Sequence, residues 1–299
     1  MNLLLGSSGY VGQAFKKYFE ANKIPYITHS VRFPLDEREF TKVLLTNKVK
    51  VVYNCAGYTG KPNVDSCELP ENKELALFAN TLLPAQILDL LTKLNVRLVQ
   101  ISSGCIYNDP TCEYGLEPSI IYTTDDLPNF TFNNKKRSWY SGTKALGEEL
   151  LLSKKYASVA ICRLRIPFNG DVNSRNIIHK LINYKTLINT TNSFSNLDEF
   201  VNSCYIIGNN SYEEGIFNLT QPGYMTTKEI VALLQKYNLV GEKEYFENIN
   251  TFEGTTTAPR SNCVLEPTIF LNYSKGTTLN TTPIEVSMEE AIKQYASNL

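Results

Sequence analysis

The apolar positions of this chain change period along its length, and each change marks an element. Asn2–Leu5 is a nearly unbroken apolar run that stops at Gly6, the pattern of a short buried strand. From Tyr10 to Asn22 the spacing turns helical, with Val11, Ala14, Phe15 and Tyr18 on one face. Pro25–Thr28 predicts a second strand. Val49–Asn54 predicts a third, almost wholly apolar, as a strand covered on both faces must be. A long helix is predicted over Glu71–Leu94 and a strand over Arg97–Ser102. Residues 107–137 are polar and carry Pro110, Pro118 and Pro128, which predicts a long loop. Ser138–Lys154 then reads as helix and Ser158–Arg163 as strand.

Strands that alternate with helices imply a parallel sheet with right-handed crossovers. The expected fold is therefore α/β, a doubly wound parallel sheet of the Rossmann type. After about residue 165 the pattern loosens. Two capping boxes are expected to open amphipathic helices, Thr226 with Glu229 and Ser287 with Glu290. Gly215–Leu219 is placed to rejoin the main sheet. The division that follows is a dinucleotide-binding domain over 1–165 and a smaller C-terminal substrate lobe over 166–299, with some segments returning to the sheet.

The length of 299 residues suits this plan, and 42% hydrophobic residues allow a sizeable core. The formal net charge is -1, so no basic excess draws the chain to nucleic acid or to an anionic membrane. Any substrate phosphate must be met by local charges. Seven cysteines are scattered without a C-x-x-C pair, which argues against a zinc or dithiol site and for a reducing, cytoplasmic setting. No metal is expected. The run Leu3–Leu5 is too short for a secretory leader, and no stretch approaches the ~20 apolar residues of a membrane span. The sequons at Asn129 and Asn218 read as chance matches in an Asn- and Thr-rich chain. Oligomeric state is open, a homodimer being one option.

Gly6-Ser-Ser-Gly9-Tyr-Val-Gly12 lies between the first strand and the first helix. Glycines there allow a tight turn and let backbone approach a pyrophosphate at the helix N-terminus. Gly6, Ser8, Gly9, Tyr10, Val11 and Gly12 are thus candidate cofactor residues. The G-x-x-G-x-x-G spacing resembles the short-chain dehydrogenase/reductase superfamily. So does Asn54-Cys55-Ala56-Gly57, which is similar to that superfamily's N-A-A-G turn beside the cofactor. NAD binders usually end the second strand with an acid for the ribose 2′-hydroxyl. This chain has Ser30 and Arg32 there and no acid before Asp36, so NADP is the expected cofactor.

Tyr140-Ser-Gly-Thr-Lys144 puts a tyrosine and a lysine on one helix face, where the ammonium favours the phenolate. Ser102-Ser103 stands upstream at a strand end. By resemblance to the superfamily, Ser103, Tyr140 and Lys144 form the catalytic set, Ser103 holding the substrate carbonyl oxygen and Lys144 also the nicotinamide ribose. Ser102 is the alternative to Ser103.

Further stretches run in one family's order: Asn54 to Glu68 (NCAGYTGKPNVDSCE), Gly104-Cys105-Ile106, Pro128-Asn-Phe130, Arg163-Leu-Arg165-Ile-Pro167, Asn173 to Lys180 (NSRNIIHK) and Ala258-Pro-Arg260-Ser-Asn262. Together they resemble the plant-type nucleotide-rhamnose synthase/epimerase-reductase, an extended short-chain dehydrogenase/reductase. Two departures stand out. Ser66 replaces a tryptophan of the family, and the loop at 107–137 is longer. The resemblance implies an NADPH-dependent enzyme that converts UDP-4-keto-6-deoxy-D-glucose to UDP-L-rhamnose by 3,5-epimerisation and 4-reduction. It implies Cys105 and Lys180 as the epimerase acid/base pair, although His179 adjoins Lys180 and related GDP-fucose synthases use Cys with His. Arg260 is a candidate for the substrate diphosphate, Asn176 for the substrate pocket, and Lys61 and Asn63 for its rim. Alternative readings are a 4-reductase that needs neither Cys105 nor Lys180, a UDP-hexose 4-epimerase, and a non-catalytic NADP-binding regulatory subunit.

Overall fold

The computed structural model describes all residues except 33, 155–157, 210–213 and 273–276. Six parallel strands form its main sheet: β1 (Asn2–Leu5), β2 (Tyr26–His29), β3 (Val51–Asn54), β4 (Arg97–Ser103), β5 (Val159–Leu164) and β6 (Gly215–Asn218). Their order is β2-β1-β3-β4-β5-β6. β1 is flanked by β2 on one side and β3 on the other, with Leu5 level with both His29 and Asn54. The chain therefore leaves β1 and β3 at the same edge but toward opposite faces, and a crevice opens there between the two connections. Leu3, Leu4, Leu5, Val52 and Tyr53 have no exposure at all, which is why these strands read as unbroken apolar runs.

One face of the sheet is covered by α1 (Tyr10–Ala21) and α6 (Leu197–Asn209), through Phe15, Phe19, Phe200, Val201 and Ile207. The other is covered by α2 (Glu37–Thr46), α3 (Pro70–Lys93) and α4 (Trp139–Leu152), through Phe40, Leu44, Ile87, Leu88, Leu91 and Leu151. α2 was not expected from periodicity; its signal is Asp36, whose carboxylate accepts from the Glu39 amide at 2.9 Å as an N-cap. α3 is, by length and composition, apolar enough to cross a bilayer, contrary to the expectation that no stretch approaches a membrane span. Its apolar face is packed in the core, the placement of a central helix. A π-helical turn interrupts α3 at Phe78–Leu82.

A separate apolar cluster lies in the C-terminal part. It joins α5 (Ile177–Asn183), α7 (Thr227–Lys236) and α8 (Ile284–Ser297) through Ile178, Leu181, Leu234, Met288 and Ile292. β6 pairs with β5, so the chain does return to the main sheet at Gly215 as the sequence suggested.

The capping box at Thr226 forms: its hydroxyl accepts from the Glu229 amide at 3.2 Å, and Glu229 accepts from the Thr226 amide at 2.7 Å. Thr226→Ala should cost about 1 kcal/mol, read as a lower urea midpoint with an unchanged slope. The box expected at Ser287 does not form. α8 starts four residues earlier, with Pro283 at its N-cap, because its buried stripe begins at Ile284. Ser287 is buried in the first turns, where its hydroxyl accepts from Asn196 at 2.9 Å.

The loop at 107–137 is organised by Asp109. Its carboxylate accepts from the amides of Thr111, Ser119 and Ile120. Burial raises its pKa, but these bonds and the Ser119 hydroxyl outweigh that and hold it below the usual carboxylate range. Ile121–Tyr122 then pairs with Val264–Leu265, and Asp109 and Asn108 bond the backbone of Asn262. The long loop thereby clasps the Ala258–Asn262 segment to the mouth of the sheet.

Candidate active site

A cleft of about 1240 Å³ opens at the carboxyl ends of the strands. Its inner wall is the glycine loop. Gly6 takes φ +69, and a Cβ there would lie 2.5 Å from the Ala56 amide nitrogen; a Cβ on Gly12 would lie 2.2 Å from the Gly6 carbonyl oxygen. Only bare backbone fits. It faces the N-terminus of α1, whose first turn carries no acid, so the helix dipole is left free for an anion. This cradle fits a dinucleotide pyrophosphate. Gly6, Ser8, Gly9, Tyr10, Val11, Gly12, Cys55, Ala56 and Gly57 all line the cleft. Arg32 lines it too and is exposed, while Ser30 is exposed outside the wall. Asn54 is fully buried and serves the turn: it donates to Gln100 at 2.7 Å and accepts from the Ala56 amide at 3.1 Å.

α4 carries Tyr140 and Lys144 into the same cleft. One turn on, Glu148 is locked below the sheet edge. It accepts from Ser102 of β4 at 2.5 Å and forms a two-pronged pair with Arg163 of β5, whose Nη2 lies 2.7 Å away. Lys144 and Glu148 share a helix face, so anchoring Glu148 fixes the rotation of α4 and aims Tyr140 and Lys144 at the crevice. Ser102 is consumed by that anchor. Ser103 is the serine beside Tyr140 and Cys105, where its hydroxyl works against the burial that raises both groups. Burial pushes the Tyr140 hydroxyl well above its usual range and the Lys144 ammonium below its own. Tyr140 thus rests as a protonated phenol beside Ser103, a proton donor for a carbonyl oxygen.

Cys105 lies in the single turn after β4, its amide donating to Ser103 Oγ at 3.3 Å. Burial pushes its thiol up to about 11, against the Ser103 hydrogen bond and the fields of Arg165 and Lys144. Lys180 reaches the cleft from α5. Burial pushes its ammonium down, and the neighbouring Arg175 and Arg260 push it further. The two environments keep the Cys105 thiol protonated and make the Lys180 ammonium easier to deprotonate than an ordinary lysine. The thiol has a proton to give, and the lysine takes one as its free amine. His179 turns away, its Nδ1 2.7 Å from the Tyr295 hydroxyl of α8.

The other sequence candidates divide. Lys61 lines the cleft. Asn63 and Asn176 do not, because both are helix caps: Asn63 accepts from the Asp65 amide, and Asn176 accepts from the Ile178 amide while donating to the carbonyls of Asn169 and Asp171. Arg260 lines the cleft, but its fork is engaged by Asp65, at 2.8 and 2.9 Å. Burial raises Asp65, and the Arg260 bonds with the Ala258 and Thr257 amides bring it below the usual range. Ser66, at the family's tryptophan position, accepts from the Lys61 amide at 2.8 Å and so stitches the 60–66 turn.

Sequence reasoning did not assign Arg165, Arg175, Asn192 or Asn262, all of which line the cleft. Arg175 donates to the Gly60 carbonyl at 2.7 Å. Arg165, Arg175 and Asn262 stood inside the family-like segments, but nothing in the spacing says which member of a segment faces a cavity.

The family model of the RmlD substrate binding domain matches residues 1–188. A bifunctional dTDP-4-dehydrorhamnose 3,5-epimerase/dTDP-4-dehydrorhamnose reductase of Arabidopsis thaliana is 32% identical over 269 residues, covering 89% of this chain and 85% of that one. In fold, the chain is similar to the L780 UDP-rhamnose synthase of Acanthamoeba polyphaga mimivirus, with a TM-score of 0.82, 22% identity and coverage of 98% and 99% of the two chains. It is also similar to the dTDP-4-dehydrorhamnose reductase of Bacillus anthracis solved with NADP, with a TM-score of 0.75, 15% identity and coverage of 100% and 99%.

Proposed function

The chain belongs to the RmlD substrate-binding family of nucleotide-sugar reductases and epimerases, and we propose that it converts UDP-4-keto-6-deoxy-D-glucose to UDP-L-rhamnose as a 3,5-epimerase and 4-reductase using NADPH. The observation that carries this reading is that one cleft holds both Tyr140 with Lys144 and Ser103, and Cys105 with Lys180. A C4 ketone acidifies the protons on C3 and C5, so a single carbonyl serves both inversions and the reduction.

In this reading Lys180 takes a proton from the carbon next to the carbonyl, and the C–H electrons move to the C4 oxygen. Ser103 and Tyr140 hold that oxygen. Cys105 returns a proton on the opposite face. In the reduction step, Tyr140 gives its proton to the C4 oxygen, with Lys144 beside it. The cofactor is a nicotinamide dinucleotide, which when bound supplies the hydride for C4. Gly6, Gly9 and Gly12 would hold its pyrophosphate and Arg32 the 2′-phosphate, which is our reason for NADPH. We take 1–165 as the cofactor-binding part and 166–299 as the substrate part, with α6 and β6 lent to the sheet. Seven cysteines without a disulfide support a reducing, cytoplasmic setting.

The direct test is incubation with NADPH and UDP-4-keto-6-deoxy-D-glucose, followed by NMR of the product. UDP-rhamnose is expected. A 4-reduced sugar with unchanged C3 and C5 would leave a reductase alone. Cofactor choice is tested separately. Arg32→Ala should erode the preference for NADPH over NADH by about tenfold or more, the worth of one charge-assisted bond. Equal affinities for the two cofactors in the unsubstituted protein would contradict the assignment.

A further inference from the structure

Arg165 is an anomaly in the cleft. It follows β5 and is 5% exposed, yet no carboxylate pairs with it among the described residues. Its Nη2 donates to the side-chain oxygen of Asn192 and to the Ser261 carbonyl, and its Nε has no partner. Asn192 in turn donates to Asn262 at 3.1 Å. Asn262 is also 5% exposed, and its Nδ2 has no partner either. Two buried donors, one of them cationic, thus stand on one hydrogen-bonded chain in the cleft wall. Leaving such groups unmet is costly, most of all for a charge. The pair matches an oxygen acceptor that gains negative charge.

The place of the pair identifies the acceptor. Arg165 bonds Ser261, whose hydroxyl donates to the Tyr107 carbonyl, two residues from Cys105. Its field is felt at the Cys105 thiol. This is the Ser103–Cys105 side of the cleft, where the C4 carbonyl must lie. Of the two carbons beside that carbonyl, only C3 carries a hydroxyl; C5 carries a methyl group and the ring oxygen. On these grounds we propose that Arg165 and Asn262 bind the C3 hydroxyl of the hexose and stabilise the enediolate formed when C3 loses its proton. The C3–H electrons move to the C4 oxygen, and the C3 hydroxyl proton then shifts to that oxygen, so the two adjacent oxygens share the negative charge through one proton. Ser103 and Tyr140 hold one, and Arg165 with Asn262 hold the other.

This rests on the epimerase reading above, and position-resolved exchange separates the two. In D₂O with UDP-4-keto-6-deoxy-D-glucose, Arg165→Gln should slow deuterium uptake at C3 by about 10²-fold, the usual loss for one oxyanion donor. Uptake at C5, and the affinity for UDP alone, should change less than about threefold. Arg165→Lys, which keeps the charge, should recover a large part of the C3 rate. If Arg165→Gln does not fold, Asn262→Asp is the second variant. It keeps the volume and sets a carboxylate beside Arg165, so it should show the same C3-selective loss. Equal losses at C3 and C5, or normal rates at both, would overturn the proposal. So would a weakened affinity for UDP, which would assign Arg165 to the diphosphate. If the unsubstituted protein takes up no deuterium, the epimerase reading fails. The C3-hydroxyl contact then stands on affinity: Arg165→Gln must weaken binding of the keto sugar relative to UDP by about tenfold, and an unchanged ratio would overturn it.

Discussion

Tyr140→Phe is expected to slow NADPH oxidation with the 4-keto sugar by about 10²–10⁴-fold, the range for loss of a positioned acid, while NADPH still binds. Burial holds the Tyr140 hydroxyl in its protonated form, and Ser103 stands beside it. The phenol is thus the group placed to neutralise the oxygen as C4 is reduced. Phenylalanine keeps the ring and leaves the Glu148–Arg163 anchor of α4 untouched, so the loss should appear in turnover and not in cofactor affinity. Single-turnover absorbance with prebound NADPH reads the step directly. A normal rate in the variant would mean that the Ser103–Tyr140–Lys144 set has been misread.

Cys105→Ala and Lys180→Ala should each lower deuterium incorporation at C3 or C5 by a comparable 10²–10⁴-fold or so. Both should still reduce some keto sugar, since Tyr140 and Lys144 remain in place, and the product should retain unepimerised centres. His179→Ala should be milder, because its ring faces Tyr295 and not the cleft. The pH profile follows from the two shifts. Lys180 acts as its free amine, and burial together with Arg175 and Arg260 lowers its pKa, so exchange rises with pH from a lower onset than an ordinary lysine would give. Cys105 acts as its thiol, which persists until about pH 11, so exchange falls again only there. Normal incorporation by both variants would remove the pair from the epimerisation.

The glycine loop was legible because its chemistry is backbone chemistry: the close approach of Gly6 to Ala56 demands the absence of a side chain whatever surrounds it. Tyr140 and Lys144 were legible because a helix fixes their relative direction. Arg260 shows the limit. Its guanidinium faces the cleft as its motif implied, yet its fork is occupied by Asp65, 195 residues away along the chain. Asn176 shows the same limit, because an N-cap and a ligand contact draw on the same side-chain atoms, and only the neighbouring carbonyls decide between them. The Ser287 box failed because the start of α8 was set by the burial of Ile284, which outweighs a local capping pattern.

By itself the sequence determined the doubly wound sheet, the glycine turn after β1 and the shared helix face of Tyr140 and Lys144. These depend on strand and helix periodicity, on glycine conformations and on short fixed spacings, all of which are local. The tertiary structure alone decided that Ser102 anchors Glu148 while Ser103 meets Tyr140, that Lys180 and not His179 enters the cleft, and that Arg165 is buried without a carboxylate partner. Those outcomes depend on burial and on partners brought together by folding from distant parts of the chain. Desolvation and pairing set both the charge of a side chain and the direction it can reach, and neither is encoded in its immediate neighbours.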